Sequence, residues 1–108
     1  MMRRMMGKKN KVCIIPTYEL YSKRGLDPSL DVYVNGEIYF SKHVYTSETG
    51  VCPPLELKIG DVIRAEGFQY LTVTIDGVDY FMEYEPFEAV VDRVYSSMHF
   101  YVACTDPY

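Results

Sequence analysis

The chain has 108 residues, enough for one domain with its own core, yet small enough that partners or symmetry can add stability. Its eleven tyrosines and five phenylalanines, with no tryptophan, favour strands throughout. No apolar run approaches the roughly eighteen residues of a membrane-spanning helix, and the first residues lack the apolar centre of a secretory signal. We therefore expect a cytoplasmic, all-β protein that does not enter a membrane.

Charge is divided unevenly along the chain. Residues 1–11 form a basic N-terminal arm with five bases and no acid, while residues 12–108 hold six bases against fifteen acids and so carry a net charge of −9. Such an arm can touch nucleic acid or an acidic partner, but we favour a solvated tail that improves solubility. Because no basic stripe runs among the tyrosines, we do not expect the folded part to bind nucleic acid.

The first half of the chain predicts a hairpin. Asn35-Gly36 lies between the apolar runs Asp31 to Val34 and Ile38 to Phe40, and this dipeptide tolerates the positive φ angles of a tight β-turn. The sequence therefore predicts a β-hairpin over residues 31–41. Its flanks are polar and turn-forming, which suits a segment that hinges away from a barrel.

The second half predicts further strands and turns. Leu71, Val73 and Ile75 alternate with threonines, which is the period of a strand with one buried face. The same alternation is found at Leu55, Leu57 and Ile59. Gly60-Asp61 and Asp76-Gly77 are predicted turns, and the second is the strongest hairpin signal in the chain.

The last residues predict one more strand. Met98, Phe100 and Val102 alternate with His99 and Tyr101, and Asp106-Pro107 is expected to end the strand. We interpret residues 93–108 as a C-terminal extension that follows the main domain.

Candidate catalytic and metal-binding residues form no known motif. His43 and His99 stand apart from any nucleophile pattern, so both are interpreted as structural or surface residues. The cysteines have no close spacing and are expected to be reduced thiols, mostly buried, although one disulfide stays open: they are Cys13, Cys52 and Cys104. An acidic cluster near residue 85 is interpreted as a solvated strand edge rather than a metal site: its members are Asp79, Glu83, Glu85 and Glu88. We expect no enzyme activity, no cofactor and no metal.

The order of these landmarks resembles the GroES-type co-chaperonins over residues 14–92. Ile14 to Tyr21 is similar to the opening strand of that family, and Lys58-Ile59-Gly60-Asp61 is similar to its Lys-Val-Gly-Asp turn. Asp76-Gly77, Tyr80-Phe81-Met82 and Ala89 to Asp92 resemble the later turn and strands. The resemblance implies a small, partly open GroES-like β-barrel over residues 12–92, with a mobile loop over residues 22–43.

The resemblance also implies a function. In that family an apolar segment of the mobile loop docks onto an ATP-driven, GroEL-like chaperonin ring, and the matching partner-binding residues here are Ile38, Tyr39 and Phe40. The chain would then form a sevenfold homo-oligomeric ring that encloses an unfolded polypeptide, with the nucleotide held by the chaperonin. Only Val51-Cys52-Pro53 separates Gly50 from Pro54-Leu55, so the roof hairpin of the bacterial family is missing. This shortening is similar to bacteriophage-encoded co-chaperonins, which implies a host-cytoplasm location.

A second class of function stays open. An immunoglobulin-like or transthyretin-like β-sandwich also fits the strands, and residues 46–68 suit the latter. Such a chain would be a non-enzymatic virion accessory protein or a small inhibitor that binds a host protein. The 31–41 hairpin separates the two interpretations, because it is mobile in a co-chaperonin and paired into a sheet in a sandwich.

Overall fold

The computed structural model describes residues 12–23 and 25–105, so the basic arm over residues 1–11 and the expected strand end at Asp106-Pro107 lie outside the described residues. The described part is built from strands, and the predicted all-β class is confirmed. Eleven strands lie in this part of the chain: β1 (Val12–Ile14), β2 (Thr17–Ser22), β3 (Ser29–Val34), β4 (Glu37–His43), β5 (Glu48–Val51), β6 (Leu55–Leu57), β7 (Val62–Gly67), β8 (Tyr70–Ile75), β9 (Val78–Glu83), β10 (Phe87–Val90) and β11 (Met98–Cys104).

The strands form two larger sheets and one two-stranded pair. One sheet has the order β5-β2-β11-β8-β9, the other has the order β10-β7-β3-β4, and β1 pairs with β6. Pairing is antiparallel except between β2 and β11, which run parallel. Neither larger sheet closes on itself within the described residues, so the fold is open, with β5 and β9 at the edges of one sheet and β4 and β10 at the edges of the other.

Both sheets contribute to one hydrophobic core. Leu20, Leu71 and Phe100 from the five-stranded sheet belong to the same buried cluster as Leu30 and Ile63 from the four-stranded sheet. Burial alternates along β8 and β11 as the sequence pattern predicts. The two sheets are therefore layered over a shared apolar interior, which is the usual way for half-apolar sheets to leave water.

The strand predicted from Met98, Phe100 and Val102 is confirmed as β11. It lies between β2 and β8, in the middle of the five-stranded sheet. Phe100 and Val102 are fully buried there. Residues 98–104 therefore belong to the core and are not appended to it.

Both predicted hairpin turns are confirmed. Asn35 and Gly36 have φ angles of 52° and 82°, and Asp76 and Gly77 have φ angles of 51° and 83°. Positive φ at both central residues is the type I′ geometry that matches the twist of the flanking strands. Gly60 also has a positive φ, of 100°, in the predicted Gly60-Asp61 turn.

The predicted half-buried strand over residues 55–59 is wrong at Ile59. The strand β6 ends at Leu57, and Ile59 is 65% exposed. The reason is local: the Asp61 carboxylate accepts a hydrogen bond from the Lys58 backbone N–H at 2.9 Å, so the chain turns at Lys58 before the alternation can continue.

Candidate functional site: the edge of the four-stranded sheet

Residues 31–41 form a hairpin that is paired into the four-stranded sheet. Strand β3 pairs with β4 on one side and with β7 on the other, and β4 is the edge strand. The turn is also tied down, because the Asn35 side chain accepts a hydrogen bond from the Val62 N–H at 2.9 Å and donates one to Asp61 at 3.1 Å. The segment that the co-chaperonin resemblance assigns to a loop over residues 22–43 therefore contains two strands of the sheet.

A β-bulge lies at Tyr39. The register pairs Val32 with Phe40 and Tyr33 with Ile38, which leaves Tyr39 as the extra residue on β4. A bulge of this kind disturbs the strict alternation of side chains between the two faces. Tyr39 and Phe40 are neighbours in sequence, yet both pack against the core, while Ile38 is 57% exposed.

Tyr39 is held by the segment that leads into β6. Its hydroxyl donates a hydrogen bond to the Pro53 carbonyl. Burial, together with the nearby Cys52 thiol, raises the pKa of Tyr39 well above its usual range. Burial also raises the pKa of Cys52 to about 11. The phenol and the thiol therefore stay neutral near pH 7, and the thiol is a packing group rather than a nucleophile.

Phe40 joins the two sheets at this side of the molecule. Its ring lies 5.1 Å from the ring of Tyr18 on β2, and the Tyr18 hydroxyl donates to the Glu48 carboxylate at 2.6 Å. Burial and the Glu48 charge raise the pKa of Tyr18 to about 12. Glu48 also forms an ion pair with Lys42 of β4 at 3.0 Å. These contacts fix the position of β4.

A groove of about 590 Å³ lies beside the hairpin. Ile38 and Tyr39 line it together with Val34, Leu55 and residues of the turn. Its volume falls within the roughly 300 to 1,000 Å³ that is usual for ligand pockets. Val34 and Leu55 are not among the partner-binding residues predicted from the sequence. Val34 lies within the predicted hairpin, but Leu55 comes from β6, and the local pattern of the hairpin does not indicate that contact.

The three predicted partner-binding residues thus have different environments. Ile38 is exposed on the groove, Tyr39 lines the groove and is hydrogen-bonded to the Pro53 carbonyl, and Phe40 packs between the sheets. The structure brings them together on one strand. Ile38 and the part of Tyr39 that lines the groove are available for contact without a change in the sheet, whereas Phe40 packs against Tyr18.

The two histidines lie in polar surroundings away from this groove. His43 Nε2 is 3.3 Å from an Asp31 carboxylate oxygen, and His99 Nδ1 is 2.7 Å from the Thr17 hydroxyl. Over residues 12–23 and 25–105, no group of three or more His, Cys, Asp or Glu side chains is placed to hold a metal ion. In the same part of the chain, no helix is long and apolar enough to cross a membrane.

Comparison with known proteins returns nothing for this chain: no protein-family model, curated protein or solved structure matches it.

Proposed function

We propose that this chain is a non-enzymatic protein-binding module, which recognises an apolar segment of a partner through Ile38 and the groove beside it. One observation carries the proposal: an exposed isoleucine stands on an edge strand, next to a groove walled by Val34, Tyr39 and Leu55. Such a module would suit a cytoplasmic protein that acts as a small inhibitor of a host protein or as a virion accessory protein.

The energetics favour a rigid site over a mobile one. Burying Ile38 against a partner is worth about 1.5 to 3 kcal/mol. A flexible loop loses on the order of 1 kcal/mol for each residue that becomes ordered on binding. Here Asn35, Tyr39 and Phe40 already fix the hairpin, so the ordering cost has been met during folding.

Ile38→Asp tests the proposal, with Ile59→Asp as the matched control. Both isoleucines are exposed, at 57% and 65%, but Ile59 lies in the turn after β6. We expect Ile38→Asp to weaken binding of a partner captured from host lysate by roughly ten- to a hundredfold, and Ile59→Asp to leave it unchanged. The free energy of unfolding of both variants should lie within about 0.5 kcal/mol of that of the parent chain, as is usual for exposed substitutions. Equal loss of the partner in both variants would contradict the assignment of the groove.

A co-chaperonin is the second candidate. It rests on the resemblance over residues 14–92, and the position of β4 at a sheet edge favours it, because β3 is the only strand that β4 pairs with among the described residues. Release of β4 would also break its side-chain contacts with Tyr18, Glu48 and Pro53. Docking of Ile38, Tyr39 and Phe40 together onto a GroEL-like ring would require that release, since Tyr39 and Phe40 are partly buried against the core.

The co-chaperonin proposal makes a distinct prediction. The chain should form a sevenfold ring and bind a chaperonin ring in the presence of ATP, with an unfolded polypeptide enclosed, and Ile38→Asp should abolish that binding while the ring stays assembled. Failure to co-sediment with chaperonin rings in ATP would remove this candidate.

A further inference from the structure

A second long edge is the strand β9, which lies at the end of the five-stranded sheet opposite to β5. The strand β4 contacts β2 and β5 of the other sheet. The strand β9 instead lies next to β10, since the ring centroids of Tyr80 and Phe87 are 5.5 Å apart. The β9 strand pairs only with β8, through six successive residue pairs without a register shift. Unlike β4, this edge is therefore regular.

The hairpin register determines which backbone groups face outward. In a two-residue hairpin the pair that flanks the turn, here Ile75 and Val78, exchanges both hydrogen bonds, and bonded pairs then alternate with non-bonded ones. The N–H and C=O groups of Asp79, Phe81 and Glu83 consequently point away from β8. Over the described residues, these three positions have no backbone hydrogen bond outside the β8–β9 ladder.

The side chains beside these groups combine aromatic surface with negative charge. Phe81 is 61% exposed and stacks on Tyr70 at 6.1 Å between ring centroids, with the planes 13° apart. Asp79 and Glu83 are exposed on either side of it, with Glu85 and Glu88 following in the chain. None of these four carboxylates forms an ion pair with the lysines or arginines of the described part, although Asp79 accepts a hydrogen bond from the Thr74 hydroxyl at 2.7 Å.

Pairing of β9 with a second copy of itself is electrostatically unfavourable. An antiparallel, twofold pairing centred on Phe81 would place Asp79 of each chain opposite Glu83 of the other. Like charges that face each other across strands are destabilising. Acidic residues on an edge commonly serve to prevent such pairing. The same arrangement is complementary to a strand of the opposite charge.

We propose that β9 is a docking edge for an extended basic segment of another protein, which adds to the five-stranded sheet as a sixth strand. Main-chain hydrogen bonds to Asp79, Phe81 and Glu83 provide the pairing, as in other cases of strand addition. A segment with lysine or arginine, an apolar residue, and lysine or arginine at alternate positions places its charges opposite Asp79 and Glu83. Its apolar residue then lies opposite Phe81.

Peptide binding to the full chain tests this edge. The probe is a short capped peptide in which lysine, valine and lysine alternate with threonine, and its control carries glutamate for lysine. We expect the parent chain to prefer the lysine peptide by at least about tenfold, and the double variant Asp79→Lys, Glu83→Lys to prefer the glutamate peptide. The matched variant Glu37→Lys, Glu56→Lys changes the net charge equally away from β9 and should keep the lysine preference.

A second variant separates strand pairing from charge alone. Phe81→Pro removes one outward N–H but leaves the backbone hydrogen bonds between β8 and β9. It should therefore weaken binding of the lysine peptide at least about tenfold without unfolding the chain. Undiminished binding by Phe81→Pro, binding of neither peptide, or loss of preference in the Glu37, Glu56 variant would each overturn the proposal. Dimerisation of the parent chain that Phe81→Pro abolishes would show that a second copy occupies the edge, and would overturn it as well.

Discussion

At the scale of single residues, burial separates two phenylalanines that look alike in sequence. Phe100 is fully buried at the centre of the core, whereas Phe81 is exposed on an edge strand. We expect Phe100→Ala to lower the free energy of unfolding by about 3 to 5 kcal/mol, because it leaves a cavity. Phe81→Ala should cost less than about 1 kcal/mol. Urea denaturation of the two variants checks this difference, and equal costs would contradict the placement of β11.

Asp61 gives the fold a defined response to acid. The backbone N–H of Lys58, the Asn35 amide and the Lys58 ammonium all donate to its carboxylate, and these contacts lower the pKa of Asp61. Since the folded pKa is lower than the unfolded one, the stabilisation is complete above the ordinary value of 3.8 and is lost as pH falls below it.

Asp61→Asn therefore has a pH-dependent cost. Loss of the charge-assisted hydrogen bonds should lower the free energy of unfolding by about 1 to 3 kcal/mol at pH 7. The difference between parent and variant should shrink as pH is lowered from 4 towards the folded pKa. Thermal unfolding at several pH values measures it, and a difference that grows on acidification would be inconsistent with the bonding of Asp61.

At the scale of elements, the hairpin of β3 and β4 should resist proteolysis. Lys42 lies inside β4 and forms an ion pair with Glu48, so a protease cannot extend the chain there without breaking the sheet. We expect trypsin to leave the Lys42 bond intact in the native protein and to cut it once urea unfolds the chain. Rapid cleavage at Lys42 under native conditions would instead indicate a mobile loop.

Local signals predicted the elements better than their assembly. Asn35-Gly36 and Asp76-Gly77 specify their turns through backbone geometry that lies within two residues, and Leu71, Val73 and Ile75 show their buried face by alternation alone. The parallel pairing of β2 with β11 joins segments about eighty residues apart, such as Thr17 with His99, and has no local signal. Because no local pattern shows this pairing, the sequence alone predicts an extension over residues 93–108, whereas the structure places β11 between β2 and β8.

The candidate site was predictable in part for the same reason. The apolar character of residues 38–40 is visible in the sequence, so the strand that carries Ile38 could be identified. The bulge that turns Tyr39 and Phe40 inward depends on the register with β3, and the groove depends on Leu55 from β6. Neither feature can be inferred from the hairpin alone.

At the scale of the whole molecule, the edges of the two sheets decide how the chain associates with itself. The β4 edge is interrupted by the bulge at Tyr39, and the β9 edge would bring Asp79 against Glu83 of a second copy. Edges of this kind disfavour self-pairing. An excess of acids over bases in residues 12–108 adds general repulsion between copies.

The central claim is that the 31–41 hairpin is a fixed edge of a binding module rather than the mobile loop of a ring-forming cap. Native mass spectrometry at micromolar concentration tests it most directly, because the two kinds of protein differ in the number of chains. We expect the mass of a single chain, 12.5 kDa. A seven-chain particle of roughly 90 kDa, as a closed cyclic ring requires, would contradict the claim and support the co-chaperonin instead.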